Sequence, residues 1–270
     1  MPAKINHVAI VSENYAILGQ FYQAVFGMKS SGRQRPGRAI TVGDGYVGLN
    51  INPRREGRQA RLDHFGIEVD EVAPVLERLK AAYPAVSWLE RPSTRPFAGI
   101  TTHDPDGNVF DISQRDMANR TDLYAAEAWD QPRSIDHVAI RTMNAEAMAA
   151  FYADVFDLAA LNKAQGDPNF YLSDGRVTLV LVPWSVRDSE GMSIIMPGMD
   201  HIGFRVESIE ALKGDVEGAS ANPHLRPVGL GIGTEGEARL ARFKATCPLG
   251  HHHMADRDGV LIDVLEAPGP

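Results

Sequence analysis

The chain of 270 residues has a single cysteine, Cys247. An intrachain disulfide is therefore excluded, which fits a reducing compartment. Long apolar runs are also missing: nothing approaches the roughly 20 residues that a membrane-spanning helix needs. The first apolar stretch, Ile5 to Val11, is interrupted by Asn6 and His7. It is too short for the core of a secretory leader, so a cytoplasmic location is expected. Basic residues are in deficit, with 27 Lys and Arg against 35 Asp and Glu and a net charge of −8. Phosphate backbones need clustered cations, so neither nucleic acid nor a membrane is an expected partner. A small anionic substrate remains compatible, because one local arginine can serve it. At 44% hydrophobic and 23% charged residues the composition is that of a globular protein, long enough for two ordinary domains.

What the chain does have is a repeat of itself. INHVAIVSENYAILGQFYQAVFGM at 5–28 is echoed by IDHVAIRTMNAEAMAAFYADVFDL at 135–158. His7 and His137, Phe21 and Phe151, Tyr22 and Tyr152, Val25 and Val155, and Phe26 and Phe156 share one offset of 130 residues. Asp63-His64-Phe65-Gly66-Ile67 is echoed by Asp200-His201-Ile202-Gly203-Phe204, and Asp104-Pro-Asp106-Gly107 leading to Asp111 by Asp256-Arg-Asp258-Gly259 leading to Asp263. Each half thus carries His, His and Asp in that order.

Local signals set the elements. His-Val-Ala-Ile is a short β-favouring run. Ser12 or Asn14 can cap a helix with Ile17, Leu18, Phe21, Tyr22 and Val25 on one side, and Gly27 can stop it. Asp44-Gly45 and Asp174-Gly175 read as hairpin turns, with strands over Gly43 to Ile51 and Tyr171 to Val182. A second unit begins at Leu62, with a helix near Val72 to Ala82. Asp116 to Ser134 has no strand pattern, though Tyr124 to Trp129 could form a short helix. The expectation is an α+β chain of four βαβββ modules paired into two domains, at 1–118 and 134–270, with a linker at 119–133.

A strand shows alternate side chains on one face, and a His or Asp on a buried face is costly unless paired or ligated. A lone strand histidine is more often a hydrogen-bonded core residue. Three recurring landmarks in each half favour a metal instead. Two histidines and one carboxylate with open positions suit non-haem Fe(II), and the same set can hold Mn, Zn, Ni or Co.

The strand-opening His-Val-Ala-Ile, the Phe-Tyr-x-x-Val-Phe helix, the Asp-His pair and the Asp-x-Asp-Gly-x-x-x-Asp ending resemble the vicinal oxygen chelate superfamily. That superfamily includes glyoxalase I, methylmalonyl-CoA epimerase, fosfomycin and bleomycin resistance proteins and extradiol dioxygenases. The resemblance covers nearly the whole chain. It implies two cupped mixed β-sheets flanked by helices, and a tandem arrangement like that of two-domain extradiol dioxygenases. In those enzymes the second domain holds the metal, which carries over to His137, His201 and Asp263. His7, His64 and Asp111 form a second or alternative set, and a set mixed from both halves is also conceivable. The chain departs from the ring-cleaving pattern in having Asp263 where a Glu is usual, His253 where a Tyr is usual, and a complete set in its first half. Glyoxalases and epimerases take a fourth ligand from the strand after each Asp-Gly hairpin. Here those positions fall near Leu49 and Asn50 and near Leu179 and Val180, none a carboxylate, which implies an open three-ligand site.

His251-His252-His253 is the most unusual local run. His251 and His253 are the candidate catalytic acid–base groups, with a solvated hairpin flank as the alternative. The repeat sets Thr101 opposite His253, whereas His103 is out of register and reads as a turn residue. Cys247, before Pro248, reads as a small buried residue rather than a nucleophile. Gly231-x-Gly233-x-x-Gly236 lacks the strand and βαβ context of a dinucleotide site. The segment Gly218 to Arg239 therefore reads as a mobile loop or lid. Arg54, Arg55, Arg58 and Arg61 read as a solvated connection. The resemblance implies an Fe(II)-dependent, extradiol-type dioxygenase acting on a catechol-like or other vicinal-oxygen small molecule, as a homodimer. The alternatives are a metal-dependent glyoxalase- or epimerase-like lyase or isomerase, and a non-catalytic ligand-binding or resistance protein.

Overall fold

A computed structural model describes residues 3–30, 39–92, 97–117, 131–189, 194 and 196–267. The first half runs β1 (Lys4–Ser12), α1 (Tyr15–Phe26), β2 (Lys29–Ser30), β3 (Ile40–Gly43), β4 (Gly48–Pro53), β5 (Arg61–Val69), α2 (Val72–Ala82), β6 (Trp88–Glu90), β7 (Ile100–His103) and β8 (Val109–Gln114). The second half runs β9 (Ser134–Thr142), α3 (Ala145–Phe156), β10 (Ala159–Ala160), β11 (Phe170–Ser173), β12 (Thr178–Pro183), β13 (Gly198–Val206), α4 (Ile209–Ser220), α5 (Gly233–Thr246), β14 (His252–Ala255) and β15 (Leu261–Glu266). The α+β expectation holds. Each half forms one mixed sheet, ordered β2-β3-β4-β1-β5-β8-β7-β6 and β10-β11-β12-β9-β13-β15-β14. In each, the first strands of its two units lie side by side and antiparallel at the centre.

The repeated motifs owe their local form to capping and turn chemistry. Asn14 accepts a hydrogen bond from the Ile17 N–H at the start of α1, and Asn144 accepts one from Ala147 at the start of α3. Each satisfies a backbone donor that the helix leaves open. Gly27 closes α1 in the left-handed region, at φ 65°. In the hairpins, the Asp44 carboxylate receives Tyr46 and Val47 N–H groups, and Asp174 receives those of Arg176 and Val177.

The same groups lock the halves together reciprocally. The other oxygen of Asp174 accepts from Ile5 N–H at 2.8 Å, and that of Asp44 from Ile135 N–H at 2.8 Å. Tyr22 donates to Asp256 at 2.9 Å and Tyr152 to Asp104 at 3.1 Å. Phe26 stacks on Phe204 with centroids 3.9 Å apart, and Phe156 meets Phe110. The core is thus continuous across both sheets. The Phe-Tyr helix motif and the first Asp of each ending are therefore joints between halves, not chemistry.

The loop expected over Gly218 to Arg239 is a correction: α4 runs to Ser220 and α5 begins at Gly233. Its three glycines lead into a helix that buries Phe243 and Thr246, and only 221–232 is irregular. The short helix expected at Tyr124 to Trp129 lies outside the described residues.

Candidate metal centres

Register across each sheet explains how residues far apart in sequence converge. In the first half His7, Gly66, Asp111 and Thr101 stand in one row across β1, β5, β8 and β7. In the second half His137, Gly203, Asp263 and His253 stand in the matching row across β9, β13, β15 and β14. His64 and His201 lie on the adjacent rows, opposite Ala9 and Ala139. The imidazole at the head of each row lies over the glycine beside it. A Cβ at Gly66 would fall 2.0 Å from His7 Cε1, and one at Gly203 would fall 2.0 Å from His137 Cε1. Both positions need glycine for close approach rather than for backbone freedom.

Each half thus assembles its own set. His7, His64 and Asp111 present ligand atoms within 4.8 Å of one another, as do His137, His201 and Asp263, and among the described residues no set is mixed. Every one of these four histidines is preceded by Asn or Asp, and that residue holds its Nδ1: Asn6 with His7 at 2.8 Å, Asp63 with His64 at 2.9 Å, Asp136 with His137 at 3.0 Å and Asp200 with His201 at 2.8 Å. Nε2 is left to face the centre, which is the arrangement of ligating histidines. The preceding Asn or Asp is a signal legible in the sequence, and the Asp-His pairs at 63 and 200 are part of it.

In the second centre His137 Nε2 lies 3.3 Å from Asp263 Oδ2, with both side chains fully buried. His137 Nε2 and Asp263 Oδ1 have no hydrogen-bond partner. Buried polar atoms without partners are costly, and a cation is the partner that two lone-pair donors of this kind share. The donor set therefore fits the divalent metal that the fold implies. His253 Nε2, also without a hydrogen-bond partner, lies 3.5 Å from Asp263 Oδ1. His251 is exposed just before β14. Both line a cavity of about 400 Å3 with His252, Met254, Lys244 and Leu240.

Three features go beyond the sequence expectations. Cys247 follows α5, and its Sγ lies 2.8 Å from Asp263 Oδ2 and 3.2 Å from His201 Nε2. It is part of the centre, not merely a core residue. Phe243 of α5 wedges between His201 and His253, with centroids 4.9 Å from each. Arg141 and Arg239 both bind the Asp200 carboxylate, at 2.8 and 2.7 Å. No strand-period or spacing rule brings α5 to this place, so its residues gave no local signal.

The first centre is built alike but finished differently. His64 Nε2 and His7 Nε2 lie 3.3 and 3.9 Å from Asp111 Oδ2. Thr101 donates to Asp111 Oδ1 at 2.5 Å, where the second centre has His253. Phe97 lies against His7 with centroids 4.9 Å apart. His103 bonds Ser87 and the Asp104 carbonyl, as befits a strand-end residue. Arg54 pairs with Glu13 and Arg58 with Asp63, a solvated connection as expected.

Electrostatics separate the centres further. Burial opposes charge on His64, yet the Asp111 and Asp63 carboxylates overcome it and raise its pKa to about 9. In the second centre burial wins at His201 and His253 and lowers both, whereas at His137 burial is overcome by Asp136 and Asp263, which raise it. Asp200 is held below the usual carboxylate range: burial works against this, but His201, Arg141 and Arg239 prevail. Burial and the Asp263 charge push the Cys247 thiol up.

Known proteins share this architecture. The fold is similar to homoprotocatechuate 2,3-dioxygenase from Arthrobacter globiformis (TM-score 0.65, 14% identity, 98% of this chain and 80% of that one). It is similar to the Mn(II)-bound glyoxalase from Novosphingobium aromaticivorans (0.61, 16%, 97% and 81%). It also matches a variant of 4-hydroxymandelate synthase from Streptomyces coelicolor (0.61, 16%, 100% and 94%). The chain spans about half (49%) of a xylose isomerase-like TIM barrel/4-hydroxyphenylpyruvate dioxygenase fusion protein that it also resembles. At these identities the likeness is one of fold. Comparison with curated protein sequences gave no match. A family model, described as Glyoxalase/Bleomycin resistance protein/Dioxygenase superfamily, matches residues 4–112 and again 134–264. A sequence match over both halves, on the sheets that carry the two His-His-Asp sets, means that the chain belongs to the glyoxalase/bleomycin resistance protein/dioxygenase superfamily.

Proposed function

We propose that the protein is an Fe(II)-dependent, extradiol-type dioxygenase that acts on a catechol-like or other vicinal-oxygen small molecule at its second-half centre. The observation that carries this reading is the convergence of His137, His201 and Asp263 beside His253, with buried His137 Nε2, Asp263 Oδ1 and His253 Nε2 lacking hydrogen-bond partners. The likeness of the fold to homoprotocatechuate and catechol dioxygenases supports it by analogy.

His137, His201 and Asp263 would hold the metal. When bound, the ion would supply the charge that chelates two substrate oxygens and, as iron, the redox capacity for oxygen chemistry. Asp136 and Asp200 keep a proton on each Nδ1 and so aim both imidazoles. His253 is placed to take a proton from a substrate hydroxyl or return one, and His251 to exchange it with solvent. Phe243 packs against both His201 and His253. Lys244 on the cavity wall suits an anionic substrate group. The reading includes a cytoplasmic homodimer of two-domain chains, 1–118 and 134–270. No described helix is long and apolar enough to cross a membrane.

The test is oxygen uptake with a panel of catechols after anaerobic loading with Fe(II). Uptake that depends on His137 and His201 supports the reading; its absence with every diphenol overturns it. A second reading, a metal-dependent lyase or isomerase, is favoured by Cys247 at 2.8 and 3.2 Å from Asp263 and His201, which crowds the space that dioxygen would need. Turnover without oxygen, supported by Mn, Zn, Ni or Co, would select it.

A further inference from the structure

Cys247 is the only thiol in the chain, and the structure brings it to the one place where a thiolate changes the chemistry of the site. We infer that Cys247 is a fourth ligand of the second-half centre, making it a two-nitrogen, one-oxygen, one-sulfur site, unlike the first. This rests on the proposal that the second-half centre binds metal, and it favours the lyase or isomerase reading, because the sulfur takes a position that dioxygen would need.

The geometry carries the argument. Cys247 Sγ is 2.8 Å from Asp263 Oδ2 and 3.2 Å from His201 Nε2, and His137 Nε2 closes the cluster at 3.3 Å from the same Asp263 oxygen. Donors around a tetrahedral zinc-sized ion, at about 2.0–2.3 Å from it, are roughly 3.3–3.6 Å apart, so seating one requires chiefly that the Cys247–Asp263 contact open. All four side chains are buried. A second observation points to a ligand there: His137 Nε2, on a wholly buried residue, has no hydrogen-bond partner.

The backbone is shaped to deliver the thiol. Cys247 ends α5. Bonds from several segments hold that helix over the centre, among them Arg239 to Asp200, the carboxylate that aims His201, Arg242 to Asp188, and Arg141 and Asn169 to Thr246. Three residues on, a Cβ at Gly250 would fall 1.8 Å from Asp263 Oδ1, so the turn after Cys247 wraps the carboxylate with no room for a side chain. Leu179 and Val180, on the strand after the hairpin, offer no fourth donor, and the three-ligand site expected from the sequence would gain its fourth from Cys247 at the end of α5.

The consequence is selectivity. Thiolate favours zinc and other borderline or soft ions over Mn and Mg, which prefer oxygen. The first centre offers only nitrogen and oxygen from His7, His64 and Asp111, so one chain would carry two centres of different preference. On binding, the thiol proton leaves to solvent as the cation takes its place.

The test uses the full chain with His64→Ala to silence the first centre, stripped of metal and titrated with Co(II) and then Zn(II). An intense near-ultraviolet thiolate-to-cobalt band is expected. X-ray absorption of the zinc form should show one sulfur at about 2.3 Å among lighter donors at about 2.0–2.1 Å. Cys247→Ser should abolish the band and weaken Zn(II) at least about tenfold, since losing even a group that only orients a ligand costs about 10–100-fold. Should Cys247→Ser fail to fold, the absorption spectrum of the unsubstituted thiol protein decides alone. Metal bound without a sulfur neighbour overturns the inference and leaves the metal reading intact. No metal bound overturns both. A sulfur neighbour with no oxygen uptake supports the inference and removes only the dioxygenase reading.

Discussion

The two centres start from one pattern and end as different sites. Each sheet lays His, Gly and Asp in a row, sets a second histidine one row away, and supplies an Asn or Asp to hold each Nδ1. They diverge at the last strand pair and in what covers them. The first centre has Thr101 on Asp111 and Phe97 above His7. The second has His253 beside Asp263 and a whole helix, α5, that brings Phe243 and Cys247. The sheet rows can be duplicated with little change because register fixes them. The cover comes from connections, which tolerate insertion, and there chemistry can change without disturbing the sheet.

The comparison breaks most sharply if the wrong half proves active. His201→Ala should remove metal from the second centre and lower turnover by orders of magnitude, while His64→Ala should leave turnover within a few-fold; elemental analysis with activity assays checks both. The opposite result would move the active centre to the first half. Gly203→Ala comes next. Its Cβ would displace His137, with a cost of about 1–3 kcal/mol from overpacking and loss of metal in that half alone. Gly66→Ala should do the same for the first. Metal titration of the two variants shows whether the rows are independent.

Smaller effects probe the joint between halves. Tyr22→Phe and Tyr152→Phe each remove a buried hydrogen bond, to Asp256 and Asp104, and should cost about 1–2 kcal/mol in urea unfolding. Equal losses would show the joint to be as symmetric in energy as in geometry. A further effect is in pH. Burial pushes the Asp256 carboxyl up to about 7, above the roughly 3.9 of an unfolded aspartate. A raised folded-state value contributes stability that is complete below about pH 4 and lost as pH rises through about 7. The unfolding midpoint should therefore fall between about pH 4 and pH 7 and level off above that, and Asp256→Asn should flatten that slope. A slope unchanged in the variant would remove Asp256 as its cause.

Much of the fold was legible because its determinants are local or repeated. Asn14, Gly27, Asp44 and Asp174 act on backbone within a few residues, so their caps and turns could be read directly. The His-His-Asp sets were legible because they recur. Other roles needed contacts across the chain. The Tyr22 hydroxyl and Asp256 carry no mark of meeting each other across 234 residues. The glycines at 231, 233 and 236 suggest a flexible loop, yet the burial of Phe243 beside two histidines draws Gly233–Thr246 into a helix.

By itself, then, the sequence determined the repeat, the principal caps and turns, and the recurring His, His and Asp positions of each half, because these rest on periodicity, capping and recurrence. Only the tertiary structure decided that each set closes within its own sheet, that Gly66 and Gly203 make room for an imidazole, and that Cys247 stands beside Asp263 and His201. Those facts depend on strand register and on the path of a connecting helix, and both are set by packing between segments far apart in the chain.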